Sequence, residues 1–206
     1  MALSILGSIL AIHLVAMISP GPNFFVVTQT SVTRSRREGV LAALGVACAA
    51  ALWSGAAVLG VSLLFETTAW LYTGVKVLGG AYLIYLGLQS WCRAGRPLAA
   101  PAEAHMPPSG WRAFRVGFTT NLTNPQSAIF FGSIFAALLP AGSPVWLRAA
   151  AVGVVVFNAL WWHLTLALVF STRRAQGVYA VLKRPLDYLL GGVLVLLGAR
   201  LVLSRP

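Results

Sequence analysis

Long apolar runs separated by short polar connections dominate the pattern of this chain. A helix needs about 20 predominantly apolar residues to cross the hydrocarbon core of a bilayer. Such a helix also satisfies its own backbone hydrogen bonds in lipid. The pattern therefore predicts an all-α polytopic membrane protein with six transmembrane helices, over residues 2–33, 40–65, 67–91, 116–147, 149–172 and about 185–204.

Composition agrees with this class. Of the 206 residues, 58% are hydrophobic and 9% are charged, whereas about 25% of residues are charged in a typical soluble domain. The net charge of +11 does not indicate nucleic-acid binding, because the basic residues lie in short connections between apolar runs. The chain has four acidic residues, which are Glu38, Glu66, Glu103 and Asp187.

Basic residues cluster in every second connection. They follow the first, third and fifth runs, as Arg34, Arg36 and Arg37, as Arg93, Arg96, Arg112 and Arg115, and as Arg173, Arg174, Lys183 and Arg184. Short loops rich in Lys and Arg stay in the cytoplasm. The sequence therefore predicts that loops 1, 3 and 5 are cytoplasmic and that both termini face outward.

The two halves of the chain repeat one another. The matching positions are Pro22 with Pro125, Trp53 with Trp161, and Lys76 with Asp187. Each half holds three runs, so the second half enters the membrane upside down, as in many secondary transporters. The sequence predicts one domain over 1–206, as a 3+3 inverted repeat: about 1–91, a cytoplasmic connector over about 92–112, and about 113–206.

Proline interrupts the first run and the fourth run at corresponding places. The interrupted segments are Ser19-Pro20-Gly21-Pro22-Asn23 and Asn121-Leu122-Thr123-Asn124-Pro125. A break at membrane depth is tolerated where it is buried in protein or lines a wet cavity. The helix after each proline presents N–H groups and the positive end of its dipole, which suits a substrate carboxylate. We expect Ser19, Pro20, Gly21, Pro22, Asn23, Asn121, Asn124 and Pro125 to line a binding site.

Three ionisable residues within the apolar runs are further candidates. Lys76 lies about 15 Å into the third run at helical rise, where a charged group is expensive and needs a partner or a function. It could bind a substrate carboxylate, carry a proton or pair with Asp187. Asp187 lies either within the membrane or at its interface. His163 could relay protons, or form a hydrogen bond between helices.

The chain resembles the lysine exporter (LysE) superfamily, especially its homoserine/threonine-resistance branch. The resemblance rests on Ser19-Pro20-Gly21-Pro22-Asn23, on Lys76 with the Gly79-Gly80-Ala81-Tyr82-Leu83 segment, and on Gly117-Phe118 with Asn121, Asn124 and Pro125. It covers about residues 4–203. It implies export of amino acids or their derivatives across the bacterial cytoplasmic membrane, driven by proton exchange. Gln126 stands where members often carry a basic residue.

A neutral amino acid is the favoured substrate, because a cationic one would need several acidic partners at membrane depth and only Asp187 is available there. Homoserine, threonine and branched-chain amino acids are the examples. We expect an amino-acid substrate, protons and the lipid bilayer as partners, no cofactor, metal or nucleic acid, and no enzymatic activity. A homodimer is left open. A passive channel and a membrane scaffold are the alternative functions.

Overall fold

The computed structural model describes residues 2–18, 21–67, 69–94, 109–140 and 142–203. Within these ranges the regular elements are eight α-helices, so the predicted all-α class is confirmed. They are α1 (Ala2–Ile18), α2 (Pro22–Thr33), α3 (Arg36–Thr67), α4 (Ala69–Arg93), α5 (Gly110–Leu122), α6 (Pro125–Leu138), α7 (Val145–Val169) and α8 (Arg173–Leu203).

The two predicted interruptions are confirmed by the helix bounds. The first apolar run is divided into α1 and α2, whose axes differ in direction by 59°. The fourth run is divided into α5 and α6. Pro22 and Pro125 each stand at the first position of the second helix, where a residue without an N–H group costs nothing and its fixed φ suits the helix.

The last helix begins earlier than predicted. α8 starts at Arg173 and continues through Pro185, so the basic residues expected in a loop after the fifth run lie in its first turns. A proline removes one backbone hydrogen bond and clashes with the preceding turn, but contacts with neighbouring helices can compensate within a membrane bundle. The prediction that helix six begins near residue 185 was therefore wrong.

α5 also begins earlier than its apolar run, because two polar groups organise its first turn. The Ser109 hydroxyl accepts the N–H of Arg112, and the Ser109 N–H donates to Glu38 Oε1 at 2.7 Å. Glu38 is buried in the first turn of α3. A serine N-cap of this kind stabilises a helix start, and the carboxylate ties that start to α3.

Small residues let the longest helices approach closely. A Cβ atom placed on Gly80 of α4 would lie 2.8 Å from the Gly198 carbonyl oxygen of α8, and one on Gly87 would lie 2.5 Å from that of Gly191. Glycines at helix contacts allow such backbone approach in membrane proteins. α3 packs centrally, against α5 and α7, and its Ala42, Ala43, Val46 and Ala47 are buried.

The outer surface is apolar, as a lipid-facing surface must be. Leu59 is 68% exposed, Leu78 71% and Phe157 65%, whereas soluble proteins rarely expose large contiguous apolar patches. By length and composition, Arg36–Gly60 and Val145–Val169 could cross a membrane, and α1 with α2 forms a third span if the bent pair counts as one. These findings agree with a polytopic membrane protein, and the six-span layout stays a prediction.

Candidate functional site

A cavity lies where the helices converge, and every one of the eight described helices contributes to its wall. The volume of the cavity is about 120 Å³. One water needs about 10–15 Å³, so the cavity has room for a small solute or several waters. Its polar residues come mainly from the two helix interruptions and from the facing parts of α4, α7 and α8.

Asn121, the last buried residue of α5, is the centre of a hydrogen-bond network. Its Nδ2 donates to the Val46 carbonyl oxygen of α3 at 2.8 Å. Its Oδ1 accepts Asn23 Nδ2 of α2 at 2.9 Å and Ser127 Oγ of α6 at 2.6 Å. Its carbonyl oxygen accepts the indole N–H of Trp53 at 3.3 Å. Asn121 is 2% exposed, and it joins both interruptions to α3.

The start of α6 is capped by the chain itself. The Gln126 N–H donates to Asn124 Oδ1 and the Ser127 N–H donates to the Asn124 carbonyl oxygen, both at 3.0 Å. Pro125 has no N–H group, and Asn124 accepts the next two N–H groups of the helix, those of Gln126 and Ser127. The first donors of α6 are therefore occupied. The expectation of free N–H groups after Pro125 was therefore wrong, since the preceding asparagine satisfies them.

The start of α2 is different. Its N-cap is Gly21, which has no side chain to accept a hydrogen bond from the first turn. Pro22 supplies no donor, so the N–H of Asn23 receives no cap from the N-cap residue. Gly21, Pro22 and Asn23 all line the cavity. The predicted carboxylate site at a helix start therefore stays a prediction for α2 alone.

A chain of amides crosses the cavity wall from α6 to α4. Gln126 Nε2 donates to Gln89 Oε1 at 2.8 Å, and Gln89 Nε2 donates to the Tyr85 hydroxyl at 3.0 Å. Gln126 thus joins α6 to α4 through uncharged groups.

Asp187 is buried within the protein, with 1% of its surface exposed. Its Oδ2 accepts Lys183 Nζ at 2.6 Å, one turn earlier in α8. Its carbonyl oxygen accepts Ser90 Oγ of α4 at 3.0 Å. Its Oδ1 is buried and has no hydrogen-bond partner in the described part of the chain. Asp187 is thus buried inside the helix bundle, and its placement within the membrane or at its interface stays a prediction.

Two histidines line the same cavity from α1 and α7, which pack against each other. His163 of α7 is 4% exposed, and its Nδ1 lies 2.8 Å from the carbonyl oxygen of Ala159 in the same helix. His13 of α1 is 3% exposed and packs against the rings of Phe130 and Phe131. Among the described atoms, His13 Nδ1 has no hydrogen-bond partner.

Most of the site residues predicted from the sequence come together at this cavity. Those that line it are Gly21, Pro22, Asn23, Asn121, Asn124, Asp187 and His163. Ser19 and Pro20 lie outside the described residues. The backbones of Lys76 and Pro125 belong to α4 and α6, but their side chains lie outside the described part of the chain.

The sequence reasoning missed several polar residues of the wall, which are His13, Gln89, Ser90, Gln126 and Ser127. Gln126 and Ser127 directly follow the proline of the second interruption, so their position was a usable signal. Lys183 stands four residues before Asp187, which is the spacing of an ion pair along one helix face. No such local signal marked Gln89 or Ser90.

The structure defines a helical membrane protein with an internal cavity that has polar groups at two helix interruptions, the arrangement that transporters build near the bilayer midplane. The model of the LysE type translocator family matches residues 14–205. This chain belongs to that family of translocators, and the resemblance seen in the sequence is confirmed.

Named relatives extend over nearly the whole chain. A threonine efflux protein of Escherichia coli (strain K12) is 36% identical over 197 residues, covering 94% of this chain and 95% of the relative. A threonine efflux protein of Salmonella typhi is 35% identical with the same coverage. A leucine efflux protein of Salmonella choleraesuis is 34% identical over 125 residues, or 61% of this chain and 58% of the relative. No solved structure matches this chain.

Proposed function

We propose that this protein is a secondary transporter that exports neutral amino acids, with threonine as the first candidate. The observation that carries the proposal is the cavity, to which all eight described helices and both interrupted segments contribute lining residues. Family membership and relatives named for threonine and leucine efflux support the same function.

An inverted 3+3 repeat accounts for two pairs of contacts between the halves. Gly80 meets Gly198 and Gly87 meets Gly191, as expected where matching helices α4 and α8 cross at a two-fold axis. Trp53 of α3 donates to a carbonyl near the end of α5, and Trp162 of α7 donates to Met17 near the end of α1, at 3.0 Å. Both bonds run between the proposed repeats, about 1–91 and about 113–206, and satisfy carbonyls that a helix end leaves open.

A neutral zwitterion suits the charges around the cavity. Among the described residues that line it, Asp187 is the acidic one, and Lys183 already occupies its Oδ2. A cationic side chain would add a second positive charge without a second carboxylate, and an unpaired buried charge is costly. We assign the substrate carboxylate to the start of α2, and Lys76 remains a candidate for the same role.

Export then proceeds by alternating access, in which one repeat rocks against the other around the cavity. A proton moving inward would drive the amino acid outward. Lys76, Asp187 and His163 are the candidates to carry that proton. We place the protein in the bacterial cytoplasmic membrane with loops 1, 3 and 5 inside, because the clustered basic residues favour that side.

An export screen tests the function directly. Bacteria that express the protein are loaded with dipeptides of each amino acid, and the amino acid that appears outside is measured against cells without the protein. We expect threonine or another neutral amino acid to leave faster. If no amino acid leaves faster from the expressing cells, the proposed function is wrong.

Two further arms separate coupled export from its alternatives. An uncoupler should abolish efflux against a gradient, whereas a passive channel would continue to equilibrate the amino acid. Lys76→Met should abolish efflux while the protein remains folded in the membrane, and Lys76→Arg, which keeps the charge, should retain a measurable part. Full efflux by Lys76→Met would remove that lysine from the mechanism.

A further inference from the structure

Two residues that line the cavity, Asn23 and Asp187, each carry a buried side-chain oxygen that lacks a donor among the described residues. We propose that Asn23 Oδ1 and Asp187 Oδ1 bind the protonated amino group of the exported substrate. This inference rests on the proposed function and deepens it, because it requires a free primary amino group in whatever molecule the cavity accepts. Among the described residues, neither oxygen has a hydrogen-bond partner.

The orientation of the Asn23 amide follows from the residues behind it. The Val46 carbonyl oxygen can only accept, so Asn121 must present Nδ2 to it and Oδ1 to the other side. Asn23 must then present Nδ2 to Asn121 Oδ1. A backbone carbonyl of α3 therefore determines that Asn23 offers an oxygen and not an NH2 group to a ligand.

The orientation of the Asp187 carboxylate is determined in a similar way. Lys183 Nζ occupies Oδ2 at 2.6 Å, and Ser90 Oγ binds the carbonyl oxygen of Asp187. These contacts hold the residue against α4 and leave Oδ1 as its remaining acceptor. A buried acceptor without a donor destabilises the protein, so a ligand that supplies donors regains that energy on binding.

An ammonium group is the ligand that fits two acceptors, one of them charged. It offers three N–H donors and a positive charge, and hydrogen bonds from a charged donor to a carboxylate are among the strongest in proteins. Asn23 also belongs to the start of α2, to which we assign the substrate carboxylate. The two charged groups of an α-amino acid are thus assigned to neighbouring parts of the cavity lining.

Replacing the amino group of the substrate isolates this contact. The purified full-length protein in lipid nanodiscs is titrated with L-threonine, with its 2-hydroxy analogue and with N-acetyl-L-threonine, in Na⁺-free buffer, and binding is followed calorimetrically. If the export screen identifies another amino acid, that amino acid and its 2-hydroxy analogue are used. The unmodified protein should prefer the amino form over the hydroxy form by about 10- to 100-fold.

Asp187→Asn keeps the shape of the side chain and removes its charge. The preference for the amino form should then fall to less than about threefold, whereas Arg184→Gln, an exposed neighbour outside the cavity, should leave it unchanged. Asn23→Ala should lower the preference with Asp187 intact. Since Asp187→Asn leaves the Lys183 ammonium without its carboxylate, the pair Lys183→Gln with Asp187→Asn is made as well, which removes both charges together.

The outcomes separate this inference from the function on which it rests. A protein that exports an amino acid but keeps its full amino preference in the double variant would overturn the ammonium site and leave the export function intact. The titrations are repeated with added NaCl. Binding that appears only with Na⁺ and accepts the hydroxy analogue equally well would show that the two oxygens hold a metal cation, and would also overturn the assignment. Absence of amino-acid export in the screen would overturn the function itself.

Discussion

The two helix interruptions occupy corresponding places in the chain but are completed differently. At the α5–α6 interruption, Asn124 caps the new helix and Asn121 binds three other elements. At the α1–α2 interruption, Gly21 brings no side-chain cap, and Asn23 keeps an unpartnered Oδ1 among the described residues. The α5–α6 interruption satisfies its own polar groups, whereas the α1–α2 interruption leaves Asn23 Oδ1 without a donor among the described residues.

Glycine contacts show a second difference, which concerns how closely the helices pack. α5 is in backbone contact with α3, because a Cβ on Gly45 would collide with the Phe114 carbonyl oxygen and one on Gly117 would collide with that of Ala42. Gly153 stands before Trp161 at the same spacing as Gly45 before Trp53, and a Cβ on Gly153 would meet nothing within 4 Å. α5 is thus a closely packed support, whereas α7 has open space at the corresponding glycine.

The largest effect is expected for Asn121, the centre of the hydrogen-bond network at the α5–α6 interruption. Asn121→Ala leaves the Val46 carbonyl oxygen, Asn23 Nδ2 and Ser127 Oγ without their partner, so we expect the free energy of unfolding to fall by about 3 kcal/mol. Thermal unfolding in detergent measures it. Leu122→Ala, an adjacent and partly exposed position, is the control. Equal losses in the two variants would show that the network does not stabilise the fold.

Alanine substitutions at Gly45 and Gly153 test whether α3 is more tightly packed at this position than α7. Gly45→Ala should lower the free energy of unfolding by about 2 kcal/mol, because the added methyl group forces two helix backbones apart. Gly153→Ala should instead raise it by about 0.5–1 kcal/mol, since alanine is the better helix former and the site has space. The two variants are compared by thermal unfolding. A similar result for both would contradict the proposed difference in packing.

Converting the first interruption into a copy of the second should impair transport. In Gly21→Asn the new side chain can cap the start of α2, so the variant should be at least as stable as the unmodified protein. Its efflux should fall about tenfold, which corresponds to one lost hydrogen bond to a charged group. Gly21→Ala is the matched control. Its Cβ would meet Gln126 Oε1 at 3.8 Å, an ordinary contact, and it adds no acceptor. Undiminished efflux by Gly21→Asn would mean that the α2 start does not bind the substrate carboxylate.

The smallest effect is expected from the existing cap. Asn124→Ala removes the acceptor for the Gln126 N–H and should lower the free energy of unfolding by about 1 kcal/mol. Denaturation of the purified protein measures the change, and Asn124→Ser, which restores a capping oxygen, should recover most of it. If serine and alanine behave alike, capping does not account for the role of this residue.

Much of the site could be predicted from local sequence. Pro22 and Pro125 interrupt two apolar runs, and a missing N–H group acts wherever the chain places it. The residues around them therefore pointed to the cavity before its shape was known. The partner of Asp187 was harder to choose, because Lys183 and Lys76 were both available, and the described pair is the one along the helix. Gln89 and Ser90 carried no signal, since which face of α4 meets α6 and α8 depends on packing.

The apolar runs and prolines by themselves determined the helical class, the two interruptions and the likeness to the LysE family, because run length and backbone hydrogen bonding are local properties. The difference in capping is local as well, because Gly21 and Asn124 directly precede the two prolines. Only the tertiary structure decided how closely the helices pack at matching positions. Gly45 and Gly153 sit in matching sequence patterns, yet one touches a neighbouring backbone and the other faces open space. Contacts between helices distant in sequence set that difference, and no short segment encodes them.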